Sequence, residues 1–136
     1  KYKSKKATYF NNDIFNCKFA VTKNTTALFD DHFSHYDRLQ YCLKKKIKYL
    51  VFDDDVSINA IHSDGLPPIP TVNMIMNYNK IPHKFKWVSN NSEFQMNISE
   101  LETENIIYNY NYIQIPDLFE YTGYRNTSST SLLVLK

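Results

Sequence analysis

One ten-residue stretch constrains the fold more than any other part of the sequence: residues 106–115, Ile-Ile-Tyr-Asn-Tyr-Asn-Tyr-Ile-Gln-Ile. β-Branched and aromatic residues dominate it, and neither glycine nor proline interrupts it before Pro116. Side chains alternate between the two faces of a strand, so the three tyrosines would share one face and the asparagines between them the other. The stretch therefore predicts a long central strand, with the rest of the chain laid against it.

Seven other segments share the alternation or the β-rich composition of that stretch. Phe85 and Trp87 precede the polar segment Ser89–Ser92, and Met96 follows it, which predicts a β-hairpin. The predicted strands are 14–21, 47–52, 56–60, 72–78, the two arms of the hairpin within 85–98, and 130–135.

Residues 28–46 follow a helical rather than an alternating pattern. Phe29, Phe33 and Tyr36 recur at helical spacing, with aspartates near the beginning of the segment and lysines near its end. That charge order is the one the helix dipole favours, so the segment predicts one short helix. An edge strand over residues 38–43 is the alternative.

The chain has 136 residues, enough for one continuous core. Roughly eight short strands without regular strand–helix alternation indicate the mostly-β class rather than an open parallel sheet. We therefore expect a single domain over residues 1–136, folded as an antiparallel β-sandwich with at most one short helix.

Composition and motifs argue against several functional classes of protein. Charged residues make up 22% of the chain and the formal net charge is +2, which does not indicate a polyanion-binding protein. No apolar run reaches the length of about 18 residues that a membrane-spanning helix needs. The sequence contains no glycine-rich phosphate loop and no nucleophile elbow. We expect no cofactor, no metal and no nucleic-acid partner, and membrane contact only through segments outside these residues.

Cys17 and Cys42 are the only two cysteines. In a secreted domain they would form one disulfide, which contributes about 3 kcal/mol for a loop of this size. Two free thiols in an intracellular protein are the alternative. Four N-glycosylation sequons favour the secreted interpretation, because composition alone predicts about two. They begin at Asn24, Asn90, Asn97 and Asn126.

The acidic run Asp53-Asp54-Asp55 directly follows an apolar predicted strand. With the four residues after it, the run resembles the Asp-x-Asp motif of fringe-like glycosyltransferases. That resemblance implies Asp53 and Asp55 as ligands of a Mn²⁺ or Mg²⁺ ion bound to a sugar-nucleotide diphosphate. A solvated acidic turn between two extended segments is the simpler interpretation, and we favour it.

The second half of the chain resembles an immunoglobulin-like β-sandwich. Trp87, the alternating residues 94–98, the tyrosine-rich stretch and the terminal residues 131–135 match the C, E, F and G strands in order. The inter-sheet disulfide of antibody domains has no counterpart, because the tyrosine-rich stretch lacks cysteine. With its composition typical of an AT-rich genome, the chain is similar to surface domains of apicomplexan parasites, such as the membrane-proximal third domain of their class II-like gamete fusogen. It is also similar to poxvirus immunomodulators.

Residues 116–125 join the last two predicted strands and form the expected contact surface. Four large side chains in this loop are predicted to bind a partner: Phe119, Tyr121, Tyr124 and Arg125. Tyrosine and arginine are enriched in interface hot spots.

The leading interpretation is a non-enzymatic module outside the cell or on its surface, acting by protein–protein contact in adhesion, membrane fusion or host interaction. The alternatives are a metal-dependent glycosyltransferase fragment and an intracellular β-barrel that binds lipid or nucleic acid.

Overall fold

The computed structural model describes residues 4–59, 61, 67–78, 80–116, 119–123 and 129–136. Within these ranges it contains six strands and four α-helices. The strands are β1 (Thr26–Phe29), β2 (Tyr49–Phe52), β3 (Lys84–Ser89), β4 (Ser92–Asn97), β5 (Tyr110–Gln114) and β6 (Ser131–Leu135). The helices are α1 (His35–Lys45), α2 (Val72–Asn77), α3 (Glu104–Asn109) and α4 (Phe119–Thr122). No helix in the described part of the chain is long and apolar enough to cross a bilayer.

Four strands form a mixed sheet in the order β1-β2-β6-β5. β1 and β2 are parallel, while β6 runs antiparallel to both of its neighbours. Parallel neighbours need a crossover connection between them, and α1 provides it. Leu50 of β2 lies opposite Ala27 on one side and Leu133 on the other, which places β2 at the centre of the sheet.

Helix α1 is defined by clear signals at both ends. The Ser34 side chain accepts the Asp37 backbone N–H at 3.4 Å, and Lys46 ends the helix with a left-handed φ of 56°. The buried positions follow the helical spacing of three and four residues, and they are His35, Arg38, Leu39 and Cys42. The helix thus packs one stripe against the sheet.

The main core lies between this sheet, α1 and the two short helices α2 and α3. Phe29 and Phe52 stack with ring centroids 4.9 Å apart, and Tyr110 donates its hydroxyl hydrogen to the Ile47 carbonyl at 3.4 Å. The other buried members of this cluster are Leu39, Cys42, Leu50, Val72, Ile75, Ile106 and Leu133.

The β3–β4 hairpin forms a separate two-stranded sheet. Asn90 and Asn91 make its turn with φ values of 49° and 62°, as a two-residue turn with both central residues left-handed requires. One face of the hairpin packs on a second and smaller apolar cluster. That cluster contains Val56, Ile69, Met74, Phe85 and Trp87.

The expected immunoglobulin-like sandwich is wrong. Helices account for about as much of the chain as strands, and a helical crossover joins two parallel strands. Within residues 72–78 the chain forms helix α2 (Val72–Asn77) instead of a strand, with Thr71 as its N-cap, accepting the Met74 N–H at 3.3 Å. Because α2 is short and its first four residues are all buried, its apolar residues do not show a helical period.

The strand prediction for the tyrosine-rich stretch is correct only for the second half of that stretch. Its first four residues belong to α3, and β5 begins only at Tyr110. β5 is also an edge strand rather than the centre of the sheet. The predictions of β2, of the β3–β4 hairpin, of β6 and of a helix within residues 28–46 are confirmed.

Residues 14–21 do not form the predicted strand. Ile14–Asn16 form a single turn of 3-10 helix, because the Asp13 carboxylate accepts the Phe15 N–H at 2.9 Å and caps that turn. Residues 56–59 are likewise outside any strand.

Candidate functional site

The carboxyl ends of the parallel strands β1 and β2 meet at one edge of the main sheet. Asp30, Asp31 and His32 follow β1, and Asp53 to Asp55 follow β2. Ligands of sheets with parallel strands bind most often at this edge, so it is the first place to look for a functional site.

Asp55 lies at the centre of a buried hydrogen-bond network. Its side chain has no exposed surface. One carboxylate oxygen accepts the Asn73 backbone N–H at 2.6 Å, and the other accepts the Tyr112 hydroxyl at 3.2 Å. The Asn73 side-chain amide donates to the same Tyr112 oxygen at 3.2 Å. Burial raises the pKa of the Asp55 carboxyl, and the hydrogen bond from the Asn73 backbone opposes that shift.

His35 is the second buried titratable group at this edge. Its Nδ1 accepts the Val72 backbone N–H at 3.3 Å and lies 3.9 Å from an Asp55 oxygen, and its ring packs 4.6 Å from that of Phe52. Burial lowers the pKa of His35 to about 3. The imidazole is therefore neutral and joins the first turn of α1 to the beginning of α2.

Asp53 and Asp54 lie closer to the surface than Asp55. Asp53 accepts the Thr130 hydroxyl at 2.9 Å, and its backbone N–H continues the ladder to Phe29. Asp54 has a φ of 54°, and its carboxylate lies 3.5 Å from Nε2 of His32, which is itself left-handed with a φ of 51°. The acidic run is therefore a turn, but the expected solvated position is wrong for Asp55, which is fully buried.

This geometry gives the acidic run a structural role. Asp55 uses both of its oxygens to bind donors from α2 and β5, so it ties those elements to the end of β2. A catalytic pair of Asp53 and Asp55 would need an open Asp55. The described ranges contain no group of three or more histidine, cysteine or acidic side chains placed to hold a metal ion.

Arg38 joins the N-terminal segment to the same end of the molecule. Its guanidinium donates two hydrogen bonds to Asp13, at 2.8 and 2.7 Å, and one to Asp31 at 2.6 Å. It also lies 4.6 and 4.4 Å from the ring centroids of Phe15 and Phe33. The hydrogen bonds from Arg38 lower the pKa of Asp13 to about 2. This charge pair and the two rings hold the segment against α1.

The predicted disulfide does not form, and both cysteines are free. The Cys17 thiol donates to the Asp13 carbonyl at 3.3 Å within the 3-10 turn, whereas Cys42 is buried on the inner face of α1. Burial raises the pKa of the Cys42 thiol to about 12, so that this group stays protonated.

Two of the predicted partner-binding residues belong to helix α4. Tyr121 is 86% exposed and Phe119 is 39% exposed. Tyr124 and Arg125 lie outside the described residues, as does the sequon residue Asn126. The other sequon asparagines, Asn24, Asn90 and Asn97, are all exposed.

Sequence reasoning missed most of the buried network. Asn73 and Tyr112 were assigned to predicted strands without polar roles, and His35 and Arg38 were not placed together. A signal for the last two exists, because His35, Arg38 and Cys42 recur at helical spacing on the inner stripe of α1.

Comparisons with known proteins found no match: no family model fits the chain, and no curated protein or solved structure is similar to it.

Proposed function

We propose that this domain is a non-enzymatic binding module that contacts a protein partner at the cell surface or outside the cell. The observation that carries the proposal is the exposure of Tyr121, an aromatic side chain that the core does not use. Phe119 is two residues away on the same short helix and is also exposed. Large aromatic side chains with a polar end are the residue type most enriched in interface hot spots.

Two further features support this proposal, whereas the two free cysteines do not support its extracellular part. Two titratable groups at the carboxyl edge of the sheet, Asp55 and His35, are buried and hold the fold together. The sequon asparagines Asn24 and Asn90 are exposed, as glycosylation of an extracellular domain requires. Adhesion, membrane fusion and host interaction are the processes in which such a module acts.

Site-specific photo-cross-linking tests the proposal. A photoreactive phenylalanine analogue replaces Tyr121, and the protein is irradiated on intact cells that carry its natural partners. We expect one discrete cross-linked protein. The matched control carries the same analogue at Lys44, an exposed residue of α1, and should give no such product.

Competition then decides whether the contact is specific. Unlabelled wild-type domain should suppress the cross-link, and the double variant Phe119→Ala/Tyr121→Ala should not, although its melting temperature stays near that of wild type. Equal cross-linking from both positions, or equal competition by the double variant, would refute the proposal.

A further inference from the structure

β4 presents an open strand edge. Among the described residues it pairs only with β3. The two-residue turn and the hydrogen bond from Ile98 N–H to the His83 carbonyl, 2.9 Å long, establish that the even-numbered residues of β4 bond to β3. The backbone N–H and C=O groups of Glu93, Gln95 and Asn97 therefore point away from β3. All three residues are exposed.

The other strand edges are better protected than that of β4. β3 carries Lys84 and Lys86 in exposed positions, and lysine is a common device against edge-to-edge pairing. β1 has only four residues, and β5 begins at the fully buried Tyr110. β4 has six residues and contains neither lysine nor proline. It is thus the edge most open to another strand.

We propose that β4 pairs antiparallel with β4 of a second copy of this chain, with Gln95 on the two-fold axis. In this register Gln95 lies opposite Gln95 of the second copy, and Glu93 lies opposite Asn97. Every outward-facing backbone group of the strand then has a partner. The pairing is isologous, so it closes as a dimer and does not propagate into a fibre.

The side chains fit the same register. Phe94 and Met96 lie opposite Trp87 and Phe85 on β3, so they share the apolar face of the hairpin. Phe94 is 42% exposed in the single chain, with its ring stacked 5.8 Å from Trp87. In the dimer it lies beside Met96 of the second copy, which joins the two small apolar clusters across the axis.

The charges on the opposite face are also compatible. Glu93 faces Asn97 of the second copy, and the next strand in that row presents Lys84 of the second copy. No two like charges lie directly opposite each other. A two-stranded sheet is marginally stable by itself, whereas the dimer contains a four-stranded one. Pairing also covers the part of the hairpin's apolar face, at Phe94, that its own cluster leaves exposed.

Light scattering coupled to size-exclusion chromatography, run over a series of protein concentrations, tests the proposal. The unglycosylated chain is used because a glycan on Asn97 would stand at this edge. We expect the mass of two chains at high concentration. Gln95→Pro removes the N–H at the axis without breaking a bond to β3, and it should give the mass of one chain with an unchanged circular dichroism spectrum.

A charge pair tests the register without proline. Gln95→Lys and Gln95→Glu each place like charges across the axis, so each should dissociate at severalfold higher concentration than wild type in low salt. An equimolar mixture of the two should associate more tightly than either variant alone. Asn111→Lys adds the same charge to the edge strand β5 and should leave the dimer intact.

Three results would overturn the proposal. They are a wild-type chain that stays monomeric at every concentration, a mixture no tighter than the separate variants, and a dimer that Asn111→Lys weakens as much as Gln95→Lys does. If Gln95→Pro unfolds, the Lys and Glu variants decide the question alone.

Discussion

The carboxyl edge of the main sheet and the β3–β4 hairpin are stabilised by different kinds of contact. At the edge, the buried Asp55 side chain accepts hydrogen bonds from Asn73 of α2 and Tyr112 of β5, and the buried His35 accepts one from the backbone of α2. These hydrogen bonds connect the end of β2 to α2 and β5. The hairpin depends mainly on apolar packing. It rests one face on a small apolar cluster and leaves most of β4 in solvent.

The difference separates structural residues from residues that are exposed to solvent. Groups that look catalytic in the sequence are used internally at the sheet edge, and the exposed aromatic and backbone groups lie elsewhere, on α4 and β4. Local stability should follow the same division, because segments with few buried contacts open most easily.

The largest expected effect compares one aromatic residue from each region. Phe52→Ala removes a fully buried ring that stacks on Phe29, and it should lower the free energy of unfolding by about 3–5 kcal/mol. Phe94→Ala removes a partly exposed ring and should cost under about 1.5 kcal/mol. Urea unfolding followed by circular dichroism, at low protein concentration where association does not contribute, measures both. Equal losses of unfolding free energy in the two variants would contradict the difference between the two regions.

The next effect tests whether the buried network is structural. Asp55→Ala leaves the Asn73 N–H and the Tyr112 hydroxyl without an acceptor, and each unsatisfied group costs about 1–3 kcal/mol. Asp30→Ala, an exposed carboxylate at the same edge, should change the free energy of unfolding by less than about 0.5 kcal/mol. Melting curves of the two variants beside wild type provide the measurement. A stable Asp55→Ala domain would show that the network is dispensable.

The smallest effect is a pH dependence that belongs to His35. Its pKa is about 3 in the folded chain and near 6.5 in the unfolded one. Above pH 6.5 the imidazole is neutral in both states. As the pH falls below 6.5 the unfolded state binds the proton first, so stability is lost, by at most about 1.4 kcal/mol per pH unit.

Urea titrations at several pH values between 6.5 and 5 measure this loss. His35→Gln should flatten the slope, whatever it does to the stability itself. The raised pKa of Asp55 acts in the opposite direction, because folding takes up a proton at a pH between its unfolded and its folded pKa. Identical slopes in wild type and His35→Gln would show that His35 is accessible to solvent.

Local patterns in the sequence are sufficient to predict several of the strands. The Asn90-Asn91 turn between alternating arms predicts the β3–β4 hairpin, because left-handed turn residues and period-two alternation are both short-range features. The apolar run ending at Phe52 and the terminal apolar run likewise predict β2 and β6. The acidic run predicts a turn but not the burial of Asp55, and the surface position of Tyr121 follows from its place in a connecting segment.

The other features of the fold depend on contacts between residues that are distant in the sequence. Residues 72–77 and 106–109 carry β-branched or aromatic side chains that favour strands, yet they are helical. α2 has an N-cap in Thr71 and buries its first four residues, whereas α3 buries only Ile106. The parallel pairing of β1 with β2, and with it the mixed sheet, depends on where α1 packs. Asp55 was read as solvated because its donors, Asn73 and Tyr112, lie 18 and 57 residues away along the chain. Only the folded chain brings them within hydrogen-bonding distance, and no short-range pattern encodes that proximity.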